Sequence, residues 1–585
     1  MWWYSSLPVR NVRDVEESYD YVIVGGGTAG CVLANRLSED KSVTVLVLER
    51  GGVQDGWITR IPLFSSHFAS DGSRTRVWKS TPQAHAGNRI FELCGGNCLG
   101  GASKVNAMLY TRGVPAEYNS WSEAGHVGWS YDELQQYFIK SETDLDQDPN
   151  EADDFHGISG EWKNRSHKQS FWGHTPHIIA AAKALGVPYV DDLNSPLHPS
   201  HGCAKMHYTI DGAGRRSSTH SAFLPNEVAN ARKQHLHVCA NALVTKIDVQ
   251  KGEDGALRAE GVYVRSLHGH SSSRFVRARK EVILSAGPIA SPQALMLSGI
   301  GPEEHLKQHD IAVLKDLPGV GSHLQDHLGV AVQFCVPLLD SMVKFQLRPW
   351  TIIRELFLYF FFGLGLLLCP VLELSIFLQS RLFAKGYRTV SQTKYDDDAS
   401  LSINLPDIEI MPIAWADIKV KNTGAGGLGF LGIVLRPTSL GTVRLGSSDP
   451  HEDPVVDPNY LATEHDMALF RHSARWTLRL RDQIAARGYP ISDNIVPASE
   501  SDADIDAFVR SVCQTSMHYS STCRMAPESD NGVVDDRLRV HGVRGLRVAD
   551  SSVFPDVLST HLQAATVVVA EKCADMVKED HKGDI

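Results

Sequence analysis

Apolar positions near the N-terminus come as short unbroken runs rather than as alternations. Tyr21-Val22-Ile23-Val24 closes on Gly25-Gly26-Gly27-Thr28-Ala29-Gly30. A helix-like stretch from Cys31 to Ser38 follows, and a second run, Val43 to Leu48, ends on Glu49. Unbroken apolar runs bounded by glycine predict buried strands, so the order is strand, turn, helix, strand. Further along, Leu236 to Val249 and Gly261 to Val264 alternate as strands do. Val282 to Ser285 is a short apolar strand that enters Ala286-Gly287-Pro288, a short helix and a glycine stop at Gly299-Ile300-Gly301. Strands are predicted at Ile408 to Met411, Leu431 to Leu435 and Thr442 to Leu445, and helices at Glu464 to Gly488 and Asp502 to Thr515. Strands and then helices in one block predict an α+β unit with an antiparallel sheet. Ser130, with Glu133 three residues on, predicts a capping box opening another helix.

Two stretches break these patterns. Gly95-Gly96-Asn97-Cys98-Leu99-Gly100-Gly101-Ala102-Ser103-Lys104-Val105-Asn106 holds two glycine pairs with small residues around them. It does not read as an ordinary core strand, and it suits a chain lying flat against a planar or phosphorylated ligand. Leu356 to Leu372 is seventeen residues without a charge, interrupted by Gly363, Gly365 and Pro370. A membrane span needs about 20 apolar residues, so the first expectation is a buried helix and turn. Peripheral membrane contact through 356–372, or a greasy substrate channel, is the second.

The N-terminal unit also carries chemistry. Gly25 permits the tight turn, Gly27 lets a pyrophosphate approach the backbone, and Gly30 lets helix pack on strand. The helix N-terminus offers free N–H groups to phosphates, and Glu49 ends the second strand where a ribose hydroxyl would sit. This unit alone does not separate NAD from FAD.

The 585 residues are 43% hydrophobic and 21% charged, ordinary globular composition with length for at least two domains. A net charge of -11 without a basic block argues against nucleic acid. The ten cysteines are scattered, several inside apolar runs, without zinc or disulfide spacing. Met1-Trp2-Trp3-Tyr4-Ser5-Ser6 lacks the charged start and apolar core of a signal peptide, and the expected location is intracellular.

Near the C-terminus, His518-Tyr519-Ser520-Ser521-Thr522-Cys523-Arg524-Met525 precedes a strand that ends in Asp550. Ser559-Thr560-His561 then opens an apolar helix from Leu562 to Met576. Ser559 or Thr560 reads as its N-cap, which would put His561 in the first turn and favour neutral imidazole.

Together these blocks resemble the glucose–methanol–choline (GMC) flavoprotein oxidoreductases, from about Tyr19 to about Val577. The resemblance rests on Gly25-x-Gly27-x-x-Gly30 with Glu49, on Gly100 to Asn106, on Gly287-Pro288-x-x-Ser291-Pro292 through Gly301, and on His518 to Met525 with His561. It implies FAD rather than NAD, on a Rossmann-like α/β domain joined to a discontinuous α+β substrate domain. The implied FAD-binding parts are 18–145, 211–330 and 513–580; 146–210 is a substrate-domain excursion or lid, and 331–512 is the substrate-binding domain.

By the same resemblance Gly25, Gly27 and Gly30 form the pyrophosphate turn and Glu49 holds the adenosine ribose. Gly101, Ser103 and Asn106 lie along the isoalloxazine, Val244 meets the adenine through its backbone, and Asp550 holds the ribityl end. His518 is the implied catalytic base and His561 the second active-site residue; no metal is implied. Val105 stands where members with covalently attached flavin can carry His, so noncovalent FAD is expected. Ser521 departs from the family's frequent Gly. Lys104 departs from a small residue, and is expected either beside the flavin or in solvent. The implied reaction is oxidation of the CH–OH group of a hydrophobic or secondary-metabolite alcohol, with oxygen or a quinone as electron acceptor. The alternative is a flavin-dependent lyase or decarboxylase on the same fold.

Overall fold

A computed structural model describes residues 7–65, 72–148, 150, 153–268, 272–370, 372–390, 393–417 and 424–582. The first six residues, and Val371 within the apolar block, lie outside these.

A nine-stranded sheet forms around Ser18–Val24. In order it runs Val9–Arg10, Leu236–Ala240, Val45–Glu49, Ser18–Val24, Arg274–Leu284, Leu257–Ser266 and Ala242–Lys251, with Val543–Arg544 and Leu546–Val548 added on. The first five strands pair in parallel, and the last three form an antiparallel meander. Val22, Ile23, Val45 to Val47 and Val282 to Leu284 are fully buried. A parallel strand covered on both faces has no polar side, which is why these runs read as unbroken. The predicted Leu236 to Val249 strand is in fact two strands placed apart. Asn241 turns the chain between them with a φ of 55°, a left-handed conformation that Asn tolerates.

The second sheet is antiparallel throughout. Its order is Ser492–Ile495, Leu328–Pro337, Ala425–Val434, Ile408–Ile413, Leu374–Leu378 and Gly202–Lys205, with Gln514–Thr515 also on Leu328–Pro337. Its alternation sorts two cores. Ile410 and Phe430 face the helix Glu464–Ala486, whereas Met411, Leu431 and Phe377 pack with Met108, Leu109 and Tyr208 on the other side. The Thr442 run lies off this sheet, paired with Val455–Asp457.

Three further expectations change. Gly95 and Gly96 do pair, in the hairpin of Thr75–Lys79 with Glu92–Gly96; a Cβ on Gly96 would lie 2.2 Å from the carbonyl carbon of Gly101, so glycine is needed for that approach. The last helix is Gln563–Asp580, with Leu562 at its N-cap. Thr560 instead donates its hydroxyl to Thr111 at 2.7 Å, leaving His561 just ahead of the helix. The apolar block is not buried as a whole: the helix Trp350–Phe362 turns Phe357, Phe360, Phe361 and Phe362 to solvent. The capping box at Ser130 forms as read.

Candidate active site

A cavity of about 470 Å³ runs from the glycine turn to the two histidines and is lined from both sheets. At one end, Gly25 has a φ of +104° and a Cβ there would sit 2.5 Å from the Ser285 carbonyl oxygen. A Cβ on Gly30 would lie 1.9 Å from the Gly25 carbonyl oxygen, so helix and strand touch there. Gly27 differs: its nearest protein atom would be 3.8 Å away, and it lines the cavity. Its missing side chain leaves room for a ligand rather than for protein.

Glu49 lines the same end. One carboxylate oxygen accepts from Gly26 N at 2.8 Å and the other from Gly51 N at 2.7 Å. Burial raises its pKa against these bonds. Lone pairs remain on both oxygens for a ribose hydroxyl. Val244 lines the cavity beside a register shift between Val244 and Lys246.

Asp550 reaches the cavity, yet its carboxylate is occupied by Gly287 N at 2.8 Å, the Ser291 hydroxyl at 2.7 Å and Ser552 N at 2.8 Å. It fixes the Gly287 turn. Asn106 is similarly engaged, donating to Gln563 at 2.8 Å and accepting from Arg216 at 2.6 Å. Gly101 lines the cavity, while Ser103 is not among its lining residues. The Ser103 hydroxyl donates to the Gly100 carbonyl at 2.6 Å and accepts from Thr219 N at 3.0 Å. Lys104 is neither exposed nor open to the cavity: it is buried, donates to the Val53 carbonyl at 2.8 Å and lies 3.0 Å from His220 Nδ1. Burial lowers its pKa.

At the other end, the antiparallel pairing of Leu328 with Thr515 brings His327 beside the turn that carries His518. His518 N donates to the buried Asp326 carboxylate at 2.7 Å. His327 Nε2 lies 3.0 Å from the Leu435 carbonyl and its Nδ1 lies 2.9 Å from His518 Nδ1. His518 Nε2 lies 3.3 Å from His561 Nδ1, and His561 Nε2 lies 3.1 Å from Glu409. Glu409, fully buried, also accepts from Ser375 at 2.5 Å.

The two ends of this chain assign its protons. A carbonyl oxygen only accepts, so His327 carries its proton on Nε2. Burial pushes the His327 pKa down to about 4, so its Nδ1 is bare and accepts from His518 Nδ1–H. Burial and the two neighbouring imidazoles hold the His518 pKa well below its ordinary value. Its Nε2 is therefore a bare lone pair at the cavity wall. His561 Nε2–H faces an anionic acceptor: burial acts to raise the pKa of Glu409, but His561, Ser375 and His327 bring it below the usual carboxylate range.

Sequence reasoning named His518 and His561 but neither His327 nor Glu409. Each had a signal: His327 ends Gln325-Asp326-His327, and Glu409 is a lone acid inside the apolar run Ile408 to Met411. Ser521 has a φ of 69°, the left-handed region that favours glycine.

The donor set and shape fit FAD. A glycine cradle open to a ligand lies at one end, a bare imidazole nitrogen at the other, and Ala286, Pro288, Leu297 and Leu562 are among the walls between.

Residues 19–329 match the N-terminal profile of the GMC oxidoreductases and residues 437–570 the C-terminal one. The dehydrogenase str4 of Strobilurus tenacellus is 33% identical, over 96% of this chain and 94% of that protein. An oxygen-dependent choline dehydrogenase of Pseudomonas syringae pv. tomato is 35% identical, again over 96% of this chain and 94% of its own. Among solved structures, an FAD-dependent oxidoreductase from Chaetomium thermophilum superposes with a TM-score of 0.85 at 27% identity, covering 96% of this chain and all (100%) of the other. This chain belongs to the GMC oxidoreductases, as an FAD-dependent alcohol oxidase or dehydrogenase.

Proposed function

We propose that the enzyme oxidises the CH–OH group of a hydrophobic or secondary-metabolite alcohol, with His518 as general base. The observation that carries this reading is the hydrogen-bond chain from Leu435 through His327, His518 and His561 to Glu409. With His327 and His518 neutral, the facing pair His518 Nε2 and His561 Nδ1 can take up one more proton. An alcohol hydroxyl set against the pair supplies it: His518 Nε2 accepts the O–H proton, and His561 Nδ1, its ring held by Glu409, flanks the same proton. FAD, when bound, supplies the hydride acceptor. Leu109, Leu372, Met411, Leu431 and Met517 line the cavity on the substrate side, which favours apolar alcohols over sugars and excludes water from the base.

The same reading gives the cofactor contacts. Gly25, Gly27 and Gly30 hold the pyrophosphate turn, Glu49 the ribose, and the Val244 backbone the adenine. Gly101 and Asn106 border the isoalloxazine, with Ser103 bracing that loop from behind. Asp550 acts on the ribityl end through the Gly287 turn. Val105 lines the cavity and offers no nucleophile, so FAD is held noncovalently and is released on acid precipitation. Oxygen or a quinone is the terminal acceptor. The domain division is the discontinuous one, with 18–145, 211–330 and 513–580 on the cofactor and 331–512, with 146–210, on the substrate. Ten free cysteines suit a reducing, intracellular location.

Anaerobic stopped flow, with apolar alcohols, reads flavin reduction apart from the acceptor. His518→Ala keeps FAD and loses on the order of a hundredfold or more in the rate of reduction, the loss of a general base. His561→Asn loses less, because His518 Nε2, which takes the proton, is kept and the amide N–H can bond the alcohol oxygen. Reduction of His518→Ala at the parent rate would overturn the assignment of the base. If no alcohol bleaches the flavin, the lyase reading takes its place.

A further inference from the structure

The helix Trp350–Phe362 presents its apolar side outward. Trp350, Ile353, Phe357 and Phe361 recur along one stripe, with 76%, 67%, 53% and 73% of their surface exposed, and Phe362 and Leu364 extend it at 61% and 59%. Trp57 joins the patch, its ring 6.1 Å from that of Phe360. The polar groups of the helix do the anchoring instead. Glu355 is buried and accepts from Leu366 N at 2.6 Å, and Tyr359 donates to the Gly214 carbonyl at 3.1 Å. Leu356 and Tyr359 pack against Ile61, Leu63 and Leu367. The arrangement inverts that of an ordinary surface helix, and a contiguous aromatic patch of this kind is costly to leave in water.

Charge decides between occupants. Between Met342 and Leu368 the sole acid is Glu355, and it is turned inward. Arg348 and Arg354 stay exposed. On a chain of net charge -11 the exposed charges of this segment are thus all positive. A second copy docking through the same face would bring arginines together with no exposed acid from the segment between them. A negatively charged lipid surface meets both features at once. The thirteen residues of the helix reach about 20 Å, short of the roughly 30 Å of bilayer hydrocarbon, and no helix among the described residues is long and apolar enough to cross a membrane.

We propose that this face docks the enzyme on an anionic bilayer surface, the helix lying in the interface with its aromatic side chains at headgroup depth and Arg348 and Arg354 against lipid phosphates. The docking rests on the exposed face and not on the redox chemistry, so the test reads binding rather than turnover.

The FAD-loaded full chain is sedimented with vesicles of phosphatidylcholine alone and with vesicles containing phosphatidylserine. The expected result is several-fold more protein on the serine-containing vesicles, weakened by salt, and a loss on the order of tenfold in F357S/F361S/F362S. Protein left in the supernatant with both vesicle types overturns the proposal, as does equal binding by the triple variant. Flavin absorbance and melting midpoint check that this variant folds. Should it fail that check, R348E/R354E carries the test, and binding equal to the parent overturns the proposal. Sedimentation velocity without lipid covers the remaining occupant: a dimer that either variant dissolves would make the face a self-association surface and overturn the proposal.

Discussion

Glu409 ties the histidine chain to the protein core. It is fully buried on the cavity side of its strand, and its one oxygen serves both His561 at 3.1 Å and Ser375 at 2.5 Å. Its charge and its geometry can be separated by mutation. Glu409→Gln retains an acceptor for His561 but removes the negative charge that favours a proton on the histidine pair. The expected outcome is a fall on the order of tenfold in the rate of flavin reduction at neutral pH, and a shift of the acidic limb of the pH profile, with FAD content unchanged. A merely structural glutamate would leave the pH profile where it is, and that result would remove Glu409 from the positioning of His561. Met517 and Ser521, at φ of 62° and 69°, bracket His518 with left-handed backbone. Such conformations persist where the surroundings over-determine them.

At the scale of the element, the strand–turn–helix unit is built from three glycines with different duties. Gly25 and Gly30 are held by protein atoms 2.5 and 1.9 Å from where a Cβ would be, whereas the nearest to Gly27 is 3.8 Å away. Substitution separates them. Gly27→Val should leave the apoprotein folded and take flavin content below about a tenth, because the new side chain enters the cavity where the pyrophosphate is proposed to lie. Normal absorbance of bound flavin in Gly27→Val would sink the cofactor assignment of this turn. Gly30→Ala, by contrast, pushes the helix Thr28–Leu37 off the strand and is a folding defect. The helix matters beyond the turn: Arg36 near its end meets the fully buried Glu571 of Gln563–Asp580 at 2.7 Å, which ties the first helix to the last.

For the molecule as a whole, buried histidines set the response to pH. Burial pushes His167, His174 and His327 down to about 4 and His220 to about 3. Unfolded, each binds a proton near 6.5; folded, none does until the pH is much lower. The unfolded state therefore binds more protons as pH falls from about 6.5 towards 4, and stability drops through that window. His156 runs the other way. Burial lowers its pKa, but Asp192 and Glu142 outweigh it and raise it to about 10, so its contribution is complete below about pH 6.5 and is lost steadily as pH rises from there to about 10. The denaturant midpoint of the holoenzyme should thus be highest at about pH 6.5 to 7, clearly lower at pH 5, and lower again towards pH 10 as the His156 contribution goes. An unchanged midpoint at pH 5 would mean that these histidines are not neutral in the fold.

The sequence by itself determined whatever depends on neighbours along the chain. The glycine turn between two apolar runs, the capping box at Ser130 and the strand-like run Ile408 to Met411 are each written in residues next to one another, and all three appear in the structure. Tertiary structure decided what depends on partners far away. His327 and His518 are 191 residues apart and His561 and Glu409 are 152 apart, so no local pattern links them until the strands pair. The split at Asn241 follows from which strand each half joins. The last helix starts at Gln563 because Thr560 is bonded to Thr111 instead of capping it. The apolar run from Leu356 shows the limit most plainly. Its composition established that it is apolar, but only the inward turn of Glu355 and Tyr359 decided which side of the helix faces the protein and which faces out.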